Sequence, residues 1–284
     1  MRYLILGASG MVGHAIAIYL KEKGHKVTGF SLIPFPYIEN IVGDAREPAE
    51  IQKVVEKTKY DVIVNCMGIL NQDADRKKAD TIIINSYIPH FLVERTKNMN
   101  IQIVQISTDC VFSGERGGYR EKDFKDGKSF YDRSKALGEI INERDITFRQ
   151  SLVGPDPNAE GIGLLNWFMR QKNEIQGYRN VFWNGISNLQ LARAIEAVSR
   201  KNVSGIYHLV RNESVSKYDL ITLFNKYLRK EPIRIRAVDE PKMNKTLINS
   251  RTDFEFIVDD YDTQIIEISA WIKRHPDLYP HYRY

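Results

Sequence analysis

Apolar residues fall into short blocks separated by longer amphipathic stretches, and the period changes from one kind of segment to the other. Tyr3-Leu4-Ile5-Leu6 and Asp61-Val62-Ile63-Val64 read as strands buried on both faces of a parallel sheet. Ile101-Gln102-Ile103-Val104-Gln105-Ile106 is β-branched and apolar on alternate positions, again a strand. Lys26-Val27-Thr28-Gly29-Phe30, Asn40-Ile41-Val42-Gly43-Asp44, Asp145-Ile146-Thr147-Phe148-Arg149 and Gly205-Ile206-Tyr207-His208-Leu209-Val210 complete the set, the last returning to the same sheet. Helical patterns lie between them, from Gly13 to about Lys23, Glu50 to Lys59, Asp73 to Asn98, and from Tyr131 onward. Strand alternating with helix predicts an α/β chain with a doubly wound parallel sheet.

The pattern breaks at Gly154-Pro155-Asp156-Pro157. We therefore divide the chain into residues 1–153, with later returns near 181–210, and a smaller α/β region over 154–284. In the second region helices are expected from Gly163 to Lys172, after Ser187, from Ser214 to Tyr227 with Ser216 as N-cap, and from Thr263 to His275. Ile233-Arg234-Ile235-Arg236 alternates like an exposed strand. The Tyr-rich tail ending at Tyr284 carries no reading.

Chemistry enters at the first turn. Gly7-Ala8-Ser9-Gly10-Met11-Val12-Gly13 joins the first strand to the first helix. Gly7 permits the tight turn, Gly10 lets backbone approach a pyrophosphate, and Gly13 lets the helix pack close to the strand. The helix N-terminus adds N–H groups and a positive dipole, so Gly7, Ser9, Gly10, Met11, Val12 and Gly13 form a candidate dinucleotide cradle. The plain alternative is a glycine-rich turn. An NAD site usually carries an acidic residue after the second strand. Phe30-Ser31-Leu32 stands there instead, which favours NADP(H) over NAD(H), with Ser31 as a donor to the 2′-phosphate. Asp44 either accepts from the adenine amino group or belongs to a helix N-cap region ahead of Glu47-Pro48. Asn65, Met67 and Gly68 leave the fourth strand where a cofactor would cross its end. Asn85, amid isoleucines, reads as a buried amide bracing nearby backbone, with a proton relay through Lys135 secondary.

Ser107-Thr108-Asp109 follows the fifth strand, and Tyr131-Asp132-Arg133-Ser134-Lys135 opens a helix. Residues four apart share a helix face, so the Lys135 ammonium is expected to lower the Tyr131 phenol below its ordinary pKa of about 10. Such a tyrosine is a general acid for a carbonyl being reduced, with Thr108 holding the same oxygen.

Charge and composition narrow the classes. A net charge of +5 without a dense basic run does not suggest nucleic-acid binding, although it suits a small anionic ligand. The 43% apolar and 27% charged fractions are those of a soluble globular chain, and no apolar run approaches membrane-spanning length. Cys66 and Cys110 lack metal-ligand spacing, so no metal is expected, and they fit a reducing, cytoplasmic setting.

Gly7-x-x-Gly10-x-x-Gly13, Asn65, Ser107-Thr108-Asp109 and Tyr131-x-x-x-Lys135 together resemble the extended short-chain dehydrogenase/reductase superfamily, with its Rossmann-type fold. The run Ser107 to Gly114, Tyr131-x-x-Ser134-Lys135-x-x-x-Glu139 and Phe148-Arg149 is similar to dTDP-4-dehydrorhamnose reductases. Cys110 departs by standing where those enzymes usually have an aromatic. The resemblance implies hydride transfer from NAD(P)H to the 4-keto group of a nucleotide-linked 6-deoxyhexose, with Thr108, Tyr131 and Lys135 catalytic. It places Asp109, Cys110 and Val111 against the substrate. Trp183 either stacks on a base or sugar or belongs to the core. Arg251 either meets the diphosphate or is a solvated loop arginine. A sugar epimerase or a non-catalytic regulatory subunit with a retained dinucleotide fold are the alternatives, and a homodimer stays open.

Overall fold

The computed structural model describes residues 1–282, and seven of their strands form one sheet. These are β1 (Arg2–Leu6), β2 (Lys26–Ser31), β3 (Glu39–Val42), β4 (Val62–Asn65), β5 (Gln102–Ile106), β6 (Ile146–Arg149) and β7 (Gly205–His208). Their order is β7-β6-β5-β4-β1-β2-β3, with every neighbouring pair parallel. The winding reverses between β4 and β1, and in such sheets the crevice outside the carboxyl ends at that point takes the ligand.

Alternation along each strand explains why the apolar runs are continuous. Tyr3, Ile5, Val62 and Val64 point into one core, shared with helices α1 (Gly13–Glu22), α5 (Asn188–Val198) and α7 (Tyr261–Arg274). Leu4, Leu6 and Ile63 point into the other, against α2 (Pro48–Lys57) and α3 (Ile88–Thr96). Both faces of the sheet are thus covered, which is the doubly wound arrangement read from the sequence. Among the described residues, no helix is long and apolar enough to cross a membrane.

The second region is built from small sheets. Val181–Trp183 pairs with Val215–Ser216 and Met243–Asn244, and Ile175–Tyr178 pairs with Ile235–Val238. Ser187 and Ser216 cap α5 and α6 (Lys217–Leu228), each accepting from a backbone N–H three residues on, at 3.1 and 3.0 Å. The tail folds back onto the first half. Tyr279 bonds His14 Nε2 at 2.6 Å and accepts from Trp271 Nε1 at 2.8 Å, and Tyr282 accepts from the Asp156 backbone N–H. Tyr284 lies outside the described residues.

Three expectations shift. The third strand ends at Val42, before Asp44. The exposed strand lies at Ile235–Val238 rather than from Ile233. The helix expected over 73–98 is broken into Asn71–Arg76, Lys78–Thr81, a π-helical turn at Ile82–Tyr87, and α3, with Pro89 in its first turn. The wider π turn carries Asn85, whose amide is fully engaged elsewhere, and π turns of this kind cluster at functional sites.

Candidate active site

At the amino end of α1 the three glycines do separate jobs. Gly7 has φ +81°, a region favouring glycine, and its N–H donates to the Phe30 carbonyl at 2.8 Å. A Cβ on Gly13 would stand 2.1 Å from the Gly7 carbonyl oxygen, so only glycine lets the helix lie this close. Gly10 meets no such constraint inside the protein and is exposed. Met67, leaving β4, packs against Gly7. Together these make a narrow cradle with α1's free N–H groups beyond it.

Thr108 is the first residue past the carboxyl end of β5 bar Ser107. Its hydroxyl accepts from the Cys110 backbone N–H and reaches Asp109 Oδ1, each at 3.1 Å. The same hydroxyl neighbours Tyr131 and favours its phenolate, a pull that burial outweighs. Tyr131 is delivered by α4 (Phe130–Leu137), whose start is fixed by a capping box: Ser129 Oγ accepts from Asp132 N–H, and Asp132 Oδ2 accepts from Ser129 N–H, both at 3.0 Å. One turn on, Lys135 is buried on the same face and donates from Nζ to the Ile106 carbonyl at 2.8 Å.

The electrostatics differ from expectation in one respect. Burial raises the Tyr131 phenol above its ordinary pKa, and Cys110 and Asp109 push the same way, so the anticipated lowering by Lys135 does not prevail. Lys135 itself is pushed down to about 8 by burial, against the pull of Glu139. Tyr131 is thus a protonated phenol at neutral pH, a donor rather than a base.

Behind this trio lies a buried ionic network. Glu139 accepts from Arg149 Nε and Nη2 at 2.6 and 2.7 Å, from Ser107 Oγ at 2.8 Å and from Lys125 Nζ at 3.1 Å. Arg149 Nη1 faces His208 Nε2 at 3.2 Å, while His208 Nδ1 lies 3.0 Å from the Ile248 carbonyl. That carbonyl can only accept, so His208 is neutral with its proton on Nδ1, and burial holds its pKa at about 4. Asn85 braces the neighbouring turn. Its Oδ1 accepts from Ile69 N–H at 2.8 Å, and its Nδ2 donates to the Ile69 carbonyl at 2.9 Å and Ser134 Oγ at 3.0 Å. Bracing is therefore what its geometry provides.

Several sequence-derived candidates sit elsewhere. The Ser31 hydroxyl donates inward to the Ile33 carbonyl at 2.7 Å and is buried, so it does not face a 2′-phosphate. The Asp44 carboxylate is gripped by Arg46 Nε at 2.9 and 3.0 Å, which holds it below the usual carboxylate range instead of leaving it free for adenine. Asn65 is fully buried, donating to Gln105 Oε1 at 2.8 Å and accepting from Met67 N–H, so it shapes the strand exit. Val111 is fully buried beside Phe112 and Tyr119, away from any substrate surface. Arg251 donates from Nη1 to the carbonyls of Ser204 and Ile206 at 2.6 and 2.8 Å and pairs with Asp253. That is the amino end of β7, opposite the edge where Thr108 emerges, so Arg251 does not reach a diphosphate there.

Trp183 resolves toward the core, 3% exposed, with Nε1 donating to Ser151 Oγ at 2.8 Å. Its ring carries Lys217, whose Nζ lies 5.3 Å from the ring centroid. The charge of Asp109, in the turn that follows Thr108, acts on both Lys217 and Lys245. Neither was legible as a site residue. Ser216 fixes Lys217 in the first turn of α6, yet which way a lysine leans there is decided by Trp183 on a different strand.

A family model described as RmlD substrate binding domain matches residues 1–253. Among curated proteins, the chain is 25% identical over 251 residues to the spore coat polysaccharide biosynthesis protein SpsK of Bacillus subtilis, covering 86% of each. It is 23% identical over 283 residues to a dTDP-4-dehydrorhamnose reductase of Aggregatibacter actinomycetemcomitans, covering 93% of this chain and 94% of that one. Among solved structures it resembles dTDP-4-dehydrorhamnose reductase from Bacillus anthracis in complex with NADP, with a TM-score of 0.81 at 18% identity over 95% of this chain and 99% of the other.

Proposed function

The chain belongs to the RmlD substrate binding domain family, and from that premise and the site's geometry we propose that it reduces the 4-keto group of a nucleotide-linked 6-deoxyhexose at the expense of NAD(P)H. The observation that carries the reading is that Tyr131 and Lys135 are buried one turn apart on one face of α4, with Lys135 Nζ bonded to the Ile106 carbonyl at the end of the strand that delivers Thr108. A relative of similar length is named as a reductase of such a sugar.

The first turn fits a dinucleotide. Gly7 at φ +81° and the close Gly7–Gly13 approach leave backbone N–H groups at the head of α1, where a pyrophosphate would be held. When bound, the reduced nicotinamide supplies the hydride. Tyr131 would donate to the ketone oxygen, and so would the Thr108 hydroxyl once its proton turns from Asp109, fixing the carbonyl carbon in place. Tyr131 then gives its proton as negative charge develops on that oxygen, and Lys135 stabilises the phenolate left behind. Acid catalysis of this kind is worth roughly a hundred- to ten-thousand-fold.

We place NADP(H) ahead of NAD(H), because β2 ends in Phe30-Ser31 with no carboxylate to repel a 2′-phosphate. With the Ser31 hydroxyl turned inward, that preference rests on absent repulsion alone. Both cysteines are free, in keeping with a reducing, cytoplasmic compartment. The test is oxidation of NADPH and NADH with a panel of nucleotide 4-ketosugars. Tyr131→Phe is expected to lose at least a hundredfold in kcat with NADPH affinity within twofold of the parent protein. Turnover surviving in Tyr131→Phe would overturn the mechanism.

A further inference from the structure

Two successive carbonyls of the glycine turn are held by buried side chains. The Gly10 carbonyl accepts from the His14 backbone N–H at 3.0 Å and lies 2.9 Å from His14 Nδ1. The Met11 carbonyl accepts at 3.1 Å from Nδ2 of Asn188, the first residue of α5. Neither His14 nor Asn188 has any exposed surface, so neither side chain meets a ligand directly. What each of them holds is the backbone of the cradle.

The direction of these bonds follows from the groups. A carbonyl oxygen can only accept, so His14 carries its proton on Nδ1. Burial holds the ring's pKa at about 4, so at neutral pH Nε2 is bare and accepts from the Tyr279 hydroxyl, 2.6 Å away. Trp271 Nε1 donates in turn to Tyr279 at 2.8 Å. The donors therefore run one way, from indole to phenol to imidazole to the turn. In a trans peptide the carbonyl and the following N–H point in opposite directions. With the Gly10 and Met11 carbonyls drawn toward His14 and Asn188, the N–H groups of Met11 and Val12 point out of the end of α1, where first-turn donors have no partner within the helix.

We propose that His14 and Asn188 are positioning residues for the dinucleotide, locking two successive peptide planes so that the Met11 and Val12 N–H groups are aimed at its pyrophosphate before it arrives. The inference rests on the dinucleotide reading of the cradle and adds the side chains that keep its aim. Glycine makes room for a phosphate, but it also leaves its peptide free to rotate. Gly10 shows the need: a Cβ there would meet only the Gly7 carbonyl oxygen, at 3.5 Å, so packing does not fix its plane. A hydrogen bond to each carbonyl does. Donors already in place need no reordering when the anion binds, and aim is thereby turned into affinity.

The experiment measures NADPH and NADH binding to the whole chain by calorimetry, beside urea denaturation of the same variants. His14→Leu and His14→Asn both leave the Tyr279 hydroxyl without this acceptor, so both should lose stability. They differ at Gly10, because asparagine Nδ2 can stand where His14 Nδ1 does and leucine has no donor. NADPH affinity is expected to fall roughly tenfold in His14→Leu and in Asn188→Leu, and less than about threefold in His14→Asn. Side chains that served the fold alone would move affinity in step with stability in all three. Nitrogen-15 NMR of the parent protein needs no variant, and should show the His14 ring proton on Nδ1 at pH 7. The inference is overturned if either leucine variant binds NADPH within twofold of the parent, if His14→Asn loses as much affinity as His14→Leu, or if the ring proton sits on Nε2. Failure of the reading beneath it looks different. A parent protein that binds neither NADPH nor NADH refutes the dinucleotide cradle itself, and a ketosugar panel left unreduced with this affinity pattern intact refutes only the sugar assignment.

Discussion

Glu139→Gln tests whether the buried network holds the strand end that carries Thr108. The Glu139 side chain has no exposed surface, and Arg149 is 2% exposed, so neither can turn to water when its partner changes. The amide is nearly the same size but brings an NH2 group against a guanidinium that already donates there twice. Arg149 would keep its charge with one neutral amide oxygen, the Glu121 carbonyl, and the Phe112 and His208 rings within reach, and no counterion. Breaking a buried pair from one side typically costs about 3–5 kcal/mol, because the remaining charge is stranded. Against a total stability of about 5–15 kcal/mol, that is a large share, on the order of 10 °C in Tm. Lys125, one-third exposed, can swing into solvent and adds little. Ser107 would share a single, weaker amide oxygen with Arg149, so Thr108 should be less well held and kcat should fall as well. Urea denaturation at pH 7, with circular dichroism as the probe, gives the number. A loss under 1 kcal/mol would refute the reasoning. So would failure of the double variant Glu139→Leu/Arg149→Met to regain most of the loss, since replacing both partners with apolar groups removes the stranded charge.

Acid should destabilise the protein early. His14 and His208 are buried with pKa values near 4 instead of 6.5, so their stabilising contribution is complete above pH 6.5 and is lost as pH falls toward 4, roughly 3 kcal/mol each. Glu139, held below the usual carboxylate range by Arg149, adds its own loss further down. Urea midpoints between pH 7.5 and 4.5 should drop steadily, and a flat profile would contradict the neutral-histidine assignment. Gly13→Ala should weaken NADPH binding more than tenfold, read by quenching of intrinsic fluorescence, because its Cβ would collide with the Gly7 carbonyl rather than with a yielding side chain. Asn85→Ala should cost about 2 kcal/mol or more in urea denaturation, since it strands both backbone groups of Ile69, while the Ser134 hydroxyl keeps its bond to the Tyr131 carbonyl. An Asn85→Ala loss near zero would mean water replaces the amide.

What the sequence made legible was what depends on period and on local stereochemistry. Continuous apolar runs meant strands covered on both faces, and Tyr3 and Leu4 do point into different cores. The spacing of Gly7, Gly10 and Gly13 carried a steric demand that the Gly7–Gly13 approach expresses directly. The Tyr131–Lys135 interval needed only a helix with a firm start, which Ser129 and Asp132 supply. The rest was set by partners distant in the chain. Ser31 and Arg251 have groups suited to phosphate, yet their hydrogen bonds go to carbonyls that nearby turns and β7 happen to present. The pKa of Tyr131 was misjudged because i,i+4 spacing reveals a neighbour but not how much water the fold removes. The helix around Asn85 broke because its amide must reach Ile69 and Ser134 together, which a regular α-helical register did not announce.

The hydrogen bond from His14 to Tyr279 spans 265 residues of chain. The glycine turn and the helix behind it precede by far, in sequence, the segment that packs against His14. Until that segment docks, His14 Nε2 lacks the partner that Tyr279 supplies, with Trp271 behind it. A protease nick or a bulky insertion between Trp271 and Tyr279 would therefore be felt at the head of α1, 265 residues away in sequence.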